Sequence, residues 1–231
     1  MVYISHTMTQ IIEKIILKLE EFSQVPFIIQ EDSVACDFLQ KLLIPSLKTI
    51  PDFITDATKY WKDRDLSDDE QTLRTVKENS ENILNNIFEN YNDVKVILMS
   101  SYGARMHVRD TMSDIDFGII VRDINGRKIQ KYSKILTGVG FIIVSVNNGI
   151  TILAKTYMGI SVEAKIRGSV ESEAVILLHW FLDEYVSEKT KKLLTYVKYL
   201  VKDNKKAYDG LKYVIYCGYM TYLKQLKCKM G

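Results

Sequence analysis

The chain has 231 residues, of which 47% are hydrophobic and 26% charged, so it can bury a sizeable core and is not an intrinsically disordered protein. Its apolar runs are too short to cross a bilayer, and its first residues lack the pattern of a secretion signal, so we expect no membrane association. The three cysteines are scattered, which indicates neither a disulfide framework nor a zinc knuckle and favours the reducing cytoplasm or nucleus.

The net charge of +2 hides an uneven distribution. Residues 1–93 carry 9 Lys and Arg against 17 Asp and Glu, whereas residues 94–231 carry 22 against 12. A basic part of this size can attract a polyanion. The same counts are also typical of lysine-rich helix faces that only meet solvent, and charge alone does not separate the two interpretations.

Helical periodicity dominates the first 91 residues. Three helices are predicted there, over 8–23, over 31–43 with an end before Pro45, and over 51–63. Ser67 and Glu70 then form a capping-box pattern, in which each side chain accepts a hydrogen bond from a free backbone N–H. A longer helix is therefore predicted from there to about residue 91.

A mixed block follows, and then a helical C-terminal part. Strands are predicted over 94–99, 113–121, 141–146, 150–157 and 160–166, with a helix over 127–137. Asn148-Gly149 suits a hairpin turn, and helices are predicted over 171–186, 188–203 and 210–227. The fold class is therefore α+β, with a small mixed sheet in 93–168 flanked by helical regions 1–92 and 169–231 that form a second lobe.

One segment of the mixed block, residues 99–117, carries the chemistry. Side chains alternate along a strand, so Asp114 and Asp116 share a face. Carboxylates this close repel unless a cation lies between them, and a pair of Mg²⁺ ions is the usual solution where phosphates are handled. Upstream, Ser100 and Ser101 are predicted to close a strand, and Tyr102-Gly103 to open a tight turn into a helix, which offers a hydroxyl and free N–H groups to a phosphate. The alternative is that both aspartates form the solvent side of an edge strand.

The segment resembles the signature of the DNA polymerase β-type nucleotidyltransferase superfamily, a Gly-Ser turn followed by Asp-hydrophobic-Asp-hydrophobic. The resemblance implies a nucleotidyltransferase fold, two Mg²⁺ or Mn²⁺ ions held by Asp114 and Asp116, and a third carboxylate on a later strand. Glu163, 47 residues after Asp116, has the separation typical of the terminal nucleotidyltransferases that act as poly(A) and poly(U) polymerases. The alternative for Glu163 is a surface residue paired with a neighbouring lysine.

The C-terminal part extends this resemblance. In those polymerases, lysines on one helix face reach the triphosphate, and Lys198 and Lys202 are spaced to share a face. Tyr213 lies where the family has the start of a helix that binds nucleotide. The implied nucleotide-binding residues are Ser100, Ser101, Lys198, Lys202 and Tyr213. Ordinary solvation of a helix accounts for the two lysines equally well.

Two departures from the family pattern stand in the proposed site. Ser100 replaces a residue that is mostly Gly in the family, which is expected to strain the approach of a phosphate. The third carboxylate is Glu rather than Asp. Of the histidines, His107 is predicted on the surface, and His179 is predicted in the core with a hydrogen-bonded ring nitrogen. Charge alone suggests a path for an RNA strand along Arg105, Arg109, Lys128, Lys131 and Lys134.

The resemblance implies template-independent transfer of nucleoside monophosphates from a ribonucleoside triphosphate to the 3′ end of single-stranded RNA, as in polyadenylation and other mRNA processing. Transfer to a small molecule such as an aminoglycoside, or to a protein, stays open. So does an inactive fold that acts as a binding or regulatory subunit. A protein partner or a homo-oligomer would suit either role, and the richness in Ile, Lys, Asn and Tyr suggests an AT-rich genome, viral or protozoan.

Overall fold

A computed structural model describes residues 6–108, 114–147 and 150–230 of the chain. It contains two compact units. The helical unit comprises Met1–Arg64 and Trp180–Gly231, and the sheet unit comprises Asp65–His179. These units are drawn differently from the three regions 1–92, 93–168 and 169–231, which stay a prediction about domains. Within the described residues, no helix is long and apolar enough to span a membrane.

The helical unit joins the two ends of the chain. Its helices are α1 (His6–Phe22), α2 (Ser33–Asp37), α3 (Ile44–Lys48), α4 (Pro51–Asp65), α9 (Glu188–Leu200) and α10 (Lys205–Met230). Helix α10 packs against α1 and α2. A Cβ atom on Gly210 of α10 would lie 1.8 Å from the backbone oxygen of Leu19 in α1, so only glycine permits this close approach. The N-terminal and C-terminal helices thus form one lobe, as predicted.

The predicted end of a helix before Pro45 is wrong. The chain continues from α2 through a π-helical turn, Phe38–Leu43, directly into α3. Pro45 lies in the first turn of α3, directly after the π-helical turn, so the chain stays helical across the proline. The end of the predicted helix over 188–203 also moves, because α9 ends at Leu200 and leaves Lys202 beyond it.

The sheet unit carries a five-stranded mixed sheet. Its elements are α5 (Asp68–Phe88), β1 (Val94–Leu98), α6 (Ser100–Gly103), β2 (Ile115–Val121), α7 (Gly126–Gly138), β3 (Ile142–Asn147), β4 (Ile150–Tyr157), β5 (Ile160–Gly168) and most of α8 (Ser169–Glu184). The strand order is β1-β2-β5-β4-β3. Strands β2 and β5 are parallel, and the other neighbours are antiparallel. The predicted α+β class is confirmed, whereas the predicted Asn148-Gly149 turn lies outside the described residues.

The core of the sheet unit lies on one face of the sheet. Alternate residues of β2, starting with Ile115 and Phe117, are fully buried there with side chains of β5, α5 and α7. Because side chains alternate along a strand, Asp116 and Gly118 point to the opposite face. The core therefore fixes the register of β2 and with it the face on which the acidic residue stands.

Candidate active site

Two of the predicted site residues lie side by side in the sheet. Asp116 of β2 and Glu163 of β5 are direct neighbours in the parallel pairing of these strands, so their side chains stand on the same face. Both side chains are largely buried, with 12% and 19% of their surface exposed. Asp114 lies one residue before β2 and is exposed. The sheet therefore brings together two carboxylates that are far apart in the sequence.

Lys165 lies between these two carboxylates. Its Nζ is 2.6 Å from Oδ1 of Asp116 and 3.1 Å from Oε2 of Glu163. Along β5, residues 161, 163 and 165 share the less buried face, which confirms the predicted alternation. The alternative interpretation of Glu163, a strand residue paired with a nearby lysine, describes a real contact, but that contact also includes Asp116.

The three charges shift one another's protonation. Burial raises the pKa of the Glu163 carboxyl, and Asp116 and Asp114 raise it further, so the pKa stays above its usual value despite the opposing effect of Lys165. Burial lowers the pKa of the Lys165 ammonium, but the two carboxylates outweigh burial and raise that pKa above its usual value. Lys165 therefore stays charged at neutral pH.

The turn at Ser100 starts directly beside Asp116. The backbone N–H of Met99 donates to the backbone oxygen of Asp116 at 2.7 Å, which holds the end of β1 next to the carboxylates. Ser100 adopts a φ of 55°, a left-handed conformation that favours glycine. The backbone at Ser100 is therefore strained, and the expected effect on the approach of a phosphate stays a prediction.

The helix predicted after this turn is only one turn long. Helix α6 has four residues, and the backbone N–H groups of Gly103, Ala104 and Met106 donate to backbone oxygens at positions 99, 100 and 101. Those three N–H groups are therefore not available to a phosphate, and binding by the N–H groups at the start of the turn stays a prediction. The hydroxyl of Ser101 stays the predicted phosphate contact.

His179 of α8 lies against this turn. A Cβ atom on Gly103 would be 2.9 Å from Nδ1 of His179 and 2.7 Å from the backbone oxygen of Leu98, so the turn requires glycine here. Burial lowers the pKa of His179 to about 4, against a raising effect of Asp116. Its Nε2 is buried without a hydrogen-bond partner in the described part of the chain. His179 as a whole is half-buried, so it borders the core, and the predicted hydrogen bond of one ring nitrogen is not formed at Nε2 within the described residues.

His107 is buried, and its predicted surface position is wrong. Its Nε2–H donates to the Glu70 carboxylate at 2.9 and 3.0 Å, and its ring stacks on Tyr102 with centroids 4.4 Å apart. Ser67 accepts from the N–H of Glu70, as the capping box predicts. The carboxylate of Glu70, however, binds His107 and so ties the segment after α6 to α5. No local pattern in the sequence indicates this link between residues 37 positions apart.

The other predicted nucleotide-binding residues belong to the helical unit. Lys198 is buried, and burial, with a smaller effect of Lys212, lowers its pKa to about 7. The helix predicted over 210–227 begins earlier, because α10 starts at Lys205, and Tyr213 lies inside it. The Tyr213 side chain is buried, and its hydroxyl donates to Oδ2 of Asp32 at 2.5 Å. The roles of Lys198, Lys202 and Tyr213 in binding a nucleotide stay predictions.

The cations of the suggested RNA path differ in their surroundings. Lys128 forms an ion pair with Asp93 at 2.8 Å, and the Nζ of Lys131 lies 4.6 Å from the centroid of the Tyr91 ring. Lys134 and Arg105 are exposed. Arg109 lies outside the described residues. Lys134, an exposed residue of α7, is therefore the residue that we choose to test the path.

The chemistry of the donor set fits a divalent cation. Across residues 6–108, 114–147 and 150–230, no group of three or more His, Cys, Asp or Glu side chains is close enough to hold a metal ion. Asp116 and Glu163 nevertheless share one cation, the Lys165 ammonium. Carboxylate oxygens are the ligands that Mg²⁺ and Mn²⁺ prefer. A cation is thus accommodated between these two carboxylates, and Asp114 is near enough to help raise the pKa of the Glu163 carboxyl.

No family model and no curated protein sequence matches the chain. Its fold is similar to that of RNA terminal uridylyltransferases. A cytoplasmic RNA terminal U-transferase aligns with 68% of this chain and 46% of its own, at 15% identity and a TM-score of 0.47. The Cid1 poly(U) polymerase with MgGTP bound aligns with 66% of this chain and 48% of its own, at 14% identity and a TM-score of 0.48.

The chain spans about half the length of these solved structures. They come from the group of polymerases that the sequence resembles. The likeness is one of fold at low sequence identity. The functional argument therefore rests on the residues of this chain.

Proposed function

We propose that this chain is a metal-dependent nucleotidyltransferase, which adds nucleoside monophosphates from a ribonucleoside triphosphate to the 3′ end of single-stranded RNA without a template. The observation that carries the proposal is the pairing of Asp116 and Glu163 on adjacent parallel strands, with Asp114 just before the same strand as Asp116. The sequence motif predicts two of the carboxylates, and the register of β2 and β5 supports Glu163 as the third, because it stands on the same face as Asp116.

Asp114, Asp116 and Glu163 would hold Mg²⁺ or Mn²⁺. When bound at such a site, the metal activates the attacking hydroxyl and neutralises charge on the triphosphate. Two ions are the number that the family resemblance implies. Glu163 stands on a different strand from the two aspartates, so we assign it to the side of the site that receives the RNA hydroxyl.

The residues of the turn after β1 would hold and orient the triphosphate. The hydrogen bond from Met99 to the backbone of Asp116 fixes the Ser100–Ser101 turn beside the carboxylates. A triphosphate bound by the Ser101 hydroxyl would then have its reacting phosphate next to the carboxylates that hold the metal. Catalysis in this arrangement comes mainly from positioning and from fixed charges.

The choice of RNA as the acceptor rests on charge. Residues 94–231 carry ten more basic than acidic side chains, which suits a polyanion. A cationic small molecule would instead call for further acidic residues beside the carboxylates, and Lys165 has the opposite charge. RNA is therefore the acceptor that we propose.

One observation favours a second candidate, a fold that binds nucleotide or RNA without catalysis. The Lys165 ammonium contacts both carboxylates that would hold a metal. A chain in which this ion pair is permanent would bind no metal there. Activity and metal binding separate this candidate from the first.

The direct test is a transfer assay with oligo-RNA, Mg²⁺ or Mn²⁺, and each ribonucleoside triphosphate in turn. Extension of the RNA by the wild-type protein is expected, and Asp116→Asn should abolish it, because the residue acts through its charge. The matched control is Asp123→Asn, since Asp123 is exposed and has a φ of 50° that asparagine adopts readily. The control should retain activity.

Circular dichroism of Asp116→Asn should show an intact fold, because Glu163 still pairs with Lys165. More than a trace of transfer by Asp116→Asn would contradict the catalytic assignment. An inactive wild-type protein that still binds the triphosphate would favour the second candidate.

A further inference from the structure

The ammonium group of Lys165 occupies the space between the carboxylates of Asp116 and Glu163, where a metal ion would bind. Its Nζ lies 2.6 Å from one carboxylate oxygen and 3.1 Å from the other. Mg²⁺ binds oxygen at about 2.0–2.1 Å. An ion that touched both carboxylates would therefore need the space that the ammonium group fills.

The charges of these three side chains interact strongly with one another. The side chains of Asp116, Glu163 and Lys165 are only 12%, 19% and 22% exposed, respectively, so water screens their charges weakly. Without a cation between them, the two carboxylates would repel each other. The ammonium removes this repulsion and leaves the trio with a single net negative charge.

We infer that Lys165 is a positioning residue, which holds the carboxylates of Asp116 and Glu163 in place without metal and competes with a divalent cation for the space between them. The inference rests on the proposed function, because it assigns that cation to the same site. Metal binding then requires the ammonium to leave both carboxylates.

The position of Lys165 on the strand allows this exchange. The side chain keeps 22% of its surface exposed on the less buried face of β5. Its flexible four-carbon stem can carry the ammonium towards solvent or towards an anion without moving the backbone. The backbone of β5 stays fixed by its pairing with β2 and β4. Exchange of the ammonium for a metal ion therefore requires movement of the Lys165 side chain and leaves the sheet unchanged.

The test is an equilibrium titration with Mn²⁺, with the unbound ion measured by electron paramagnetic resonance. Lys165→Met should bind Mn²⁺ about tenfold more tightly than the wild-type protein, or tighter still, because one nearby positive charge is gone. In EDTA, the same variant should melt at a lower temperature than the wild-type protein, because the carboxylates then repel. Lys95→Met is the matched control, since Lys95 is an exposed residue of β1 in the same sheet, and it should match the wild-type protein in both measurements.

A second variant keeps the test decisive if Lys165→Met does not fold. Lys165→Arg retains the positive charge, so its Mn²⁺ affinity should be no higher than that of the wild-type protein. Tighter Mn²⁺ binding by Lys165→Arg, or unchanged or weaker binding by a folded Lys165→Met, would overturn the competition while leaving the proposed function intact. Absence of Mn²⁺ binding in the wild-type protein and in every variant would overturn the metal site and the proposed function together.

Discussion

Lys165 of the sheet unit and Lys198 of the helical unit are both shielded from water, yet their pKa values move in opposite directions. Burial lowers the pKa of each ammonium. At Lys165 two carboxylates outweigh burial and raise the pKa, whereas at Lys198 the nearby Lys212 adds to burial and the pKa falls to about 7. Burial disfavours the charged form of both lysines, and the charged neighbours determine whether the pKa ends above or below its usual value.

This difference separates two ways of using a lysine. Lys165 carries a permanent charge that balances acidic residues. Lys198 is close to half-protonated at neutral pH, so an anion that came near it would raise its proton occupancy. A lysine of the second kind is suited to respond to a nearby anion, and the nucleotide-binding role of Lys198 stays a prediction.

The largest effect is expected from Glu163→Gln, which tests the proposed role of the carboxylates around Lys165. This change removes one of the two carboxylates that oppose Lys165, and we expect kcat to fall about a hundredfold or more, the usual scale for a group that acts on a proton in transfer. The KM for the triphosphate should change little, because the triphosphate is assigned to Ser101 and the other metal. Steady-state kinetics with oligo-RNA measures both values.

Glu173→Gln is the matched control for that experiment, because Glu173 is an exposed residue of α8. It should retain normal kinetics. Normal turnover by Glu163→Gln would place the third carboxylate elsewhere and would remove the functional contrast between the two lysines.

The helical-unit side is tested by the pH dependence of stability. The folded pKa of Lys198 is about 7, below its ordinary value of 10.5, so the unfolded chain binds more protons between these pH values. The free energy of unfolding should therefore rise as the pH increases from 7 towards 10, by about 1.4 kcal/mol for each pKa unit of difference at most. Lys198→Met should lack this rise in urea unfolding measured at several pH values.

Lys206→Met serves as the control, because Lys206 is exposed at the start of α10, and it should keep the wild-type pH dependence. If Lys198→Met kept the full rise, then Lys198 would be charged in the folded protein at neutral pH, and the two lysines would no longer differ in kind.

The smallest expected effect concerns an exposed lysine of the sheet unit, Lys134. If RNA is the acceptor, the logarithm of its binding constant should fall with the logarithm of salt concentration with a slope of about −2 or steeper. Lys134→Gln should make the slope shallower by about 0.7, the share of one phosphate contact on a single strand. Fluorescence anisotropy of labelled oligo-RNA at several salt concentrations measures the slope.

Lys41→Gln is the comparison variant, since Lys41 lies in the acidic part of the chain and pairs with Asp37, and it should leave the slope unchanged. A flat salt response, or no binding at low salt, would contradict RNA as the acceptor even if the metal site were confirmed.

The sequence predicted the elements of the sheet unit well. All five strands were placed from apolar runs and their spacing, and the face shared by residues 161, 163 and 165 followed from alternation. These features depend on local periodicity, which the chain displays directly. The pairing of Asp116 with Glu163 was inferred only through the family resemblance, because no local rule fixes which strands become neighbours.

The errors arose where a distant partner decides the outcome. His107 was placed on the surface because its partner, Glu70, lies 37 residues away. For Lys198, solvation and contact with a triphosphate were both left open and burial was not predicted, although Leu194 and Val201 stand on the same side of the helix at spacings of four and three. That apolar stripe was the signal for burial of Lys198. Pro45 was taken as a helix end because a π-helical turn has no recognised sequence pattern.

The parallel pairing of β2 with β5 has a consequence for the order of folding. Its two carboxylates are separated by 47 residues, whereas β3, β4 and β5 pair in sequence order as antiparallel neighbours. Closing the longer loop costs more entropy, so we expect the hairpins to form before β5 meets β2. The acidic pair would then be assembled in one of the last steps, and binding of Mn²⁺ during refolding would report completion of the sheet.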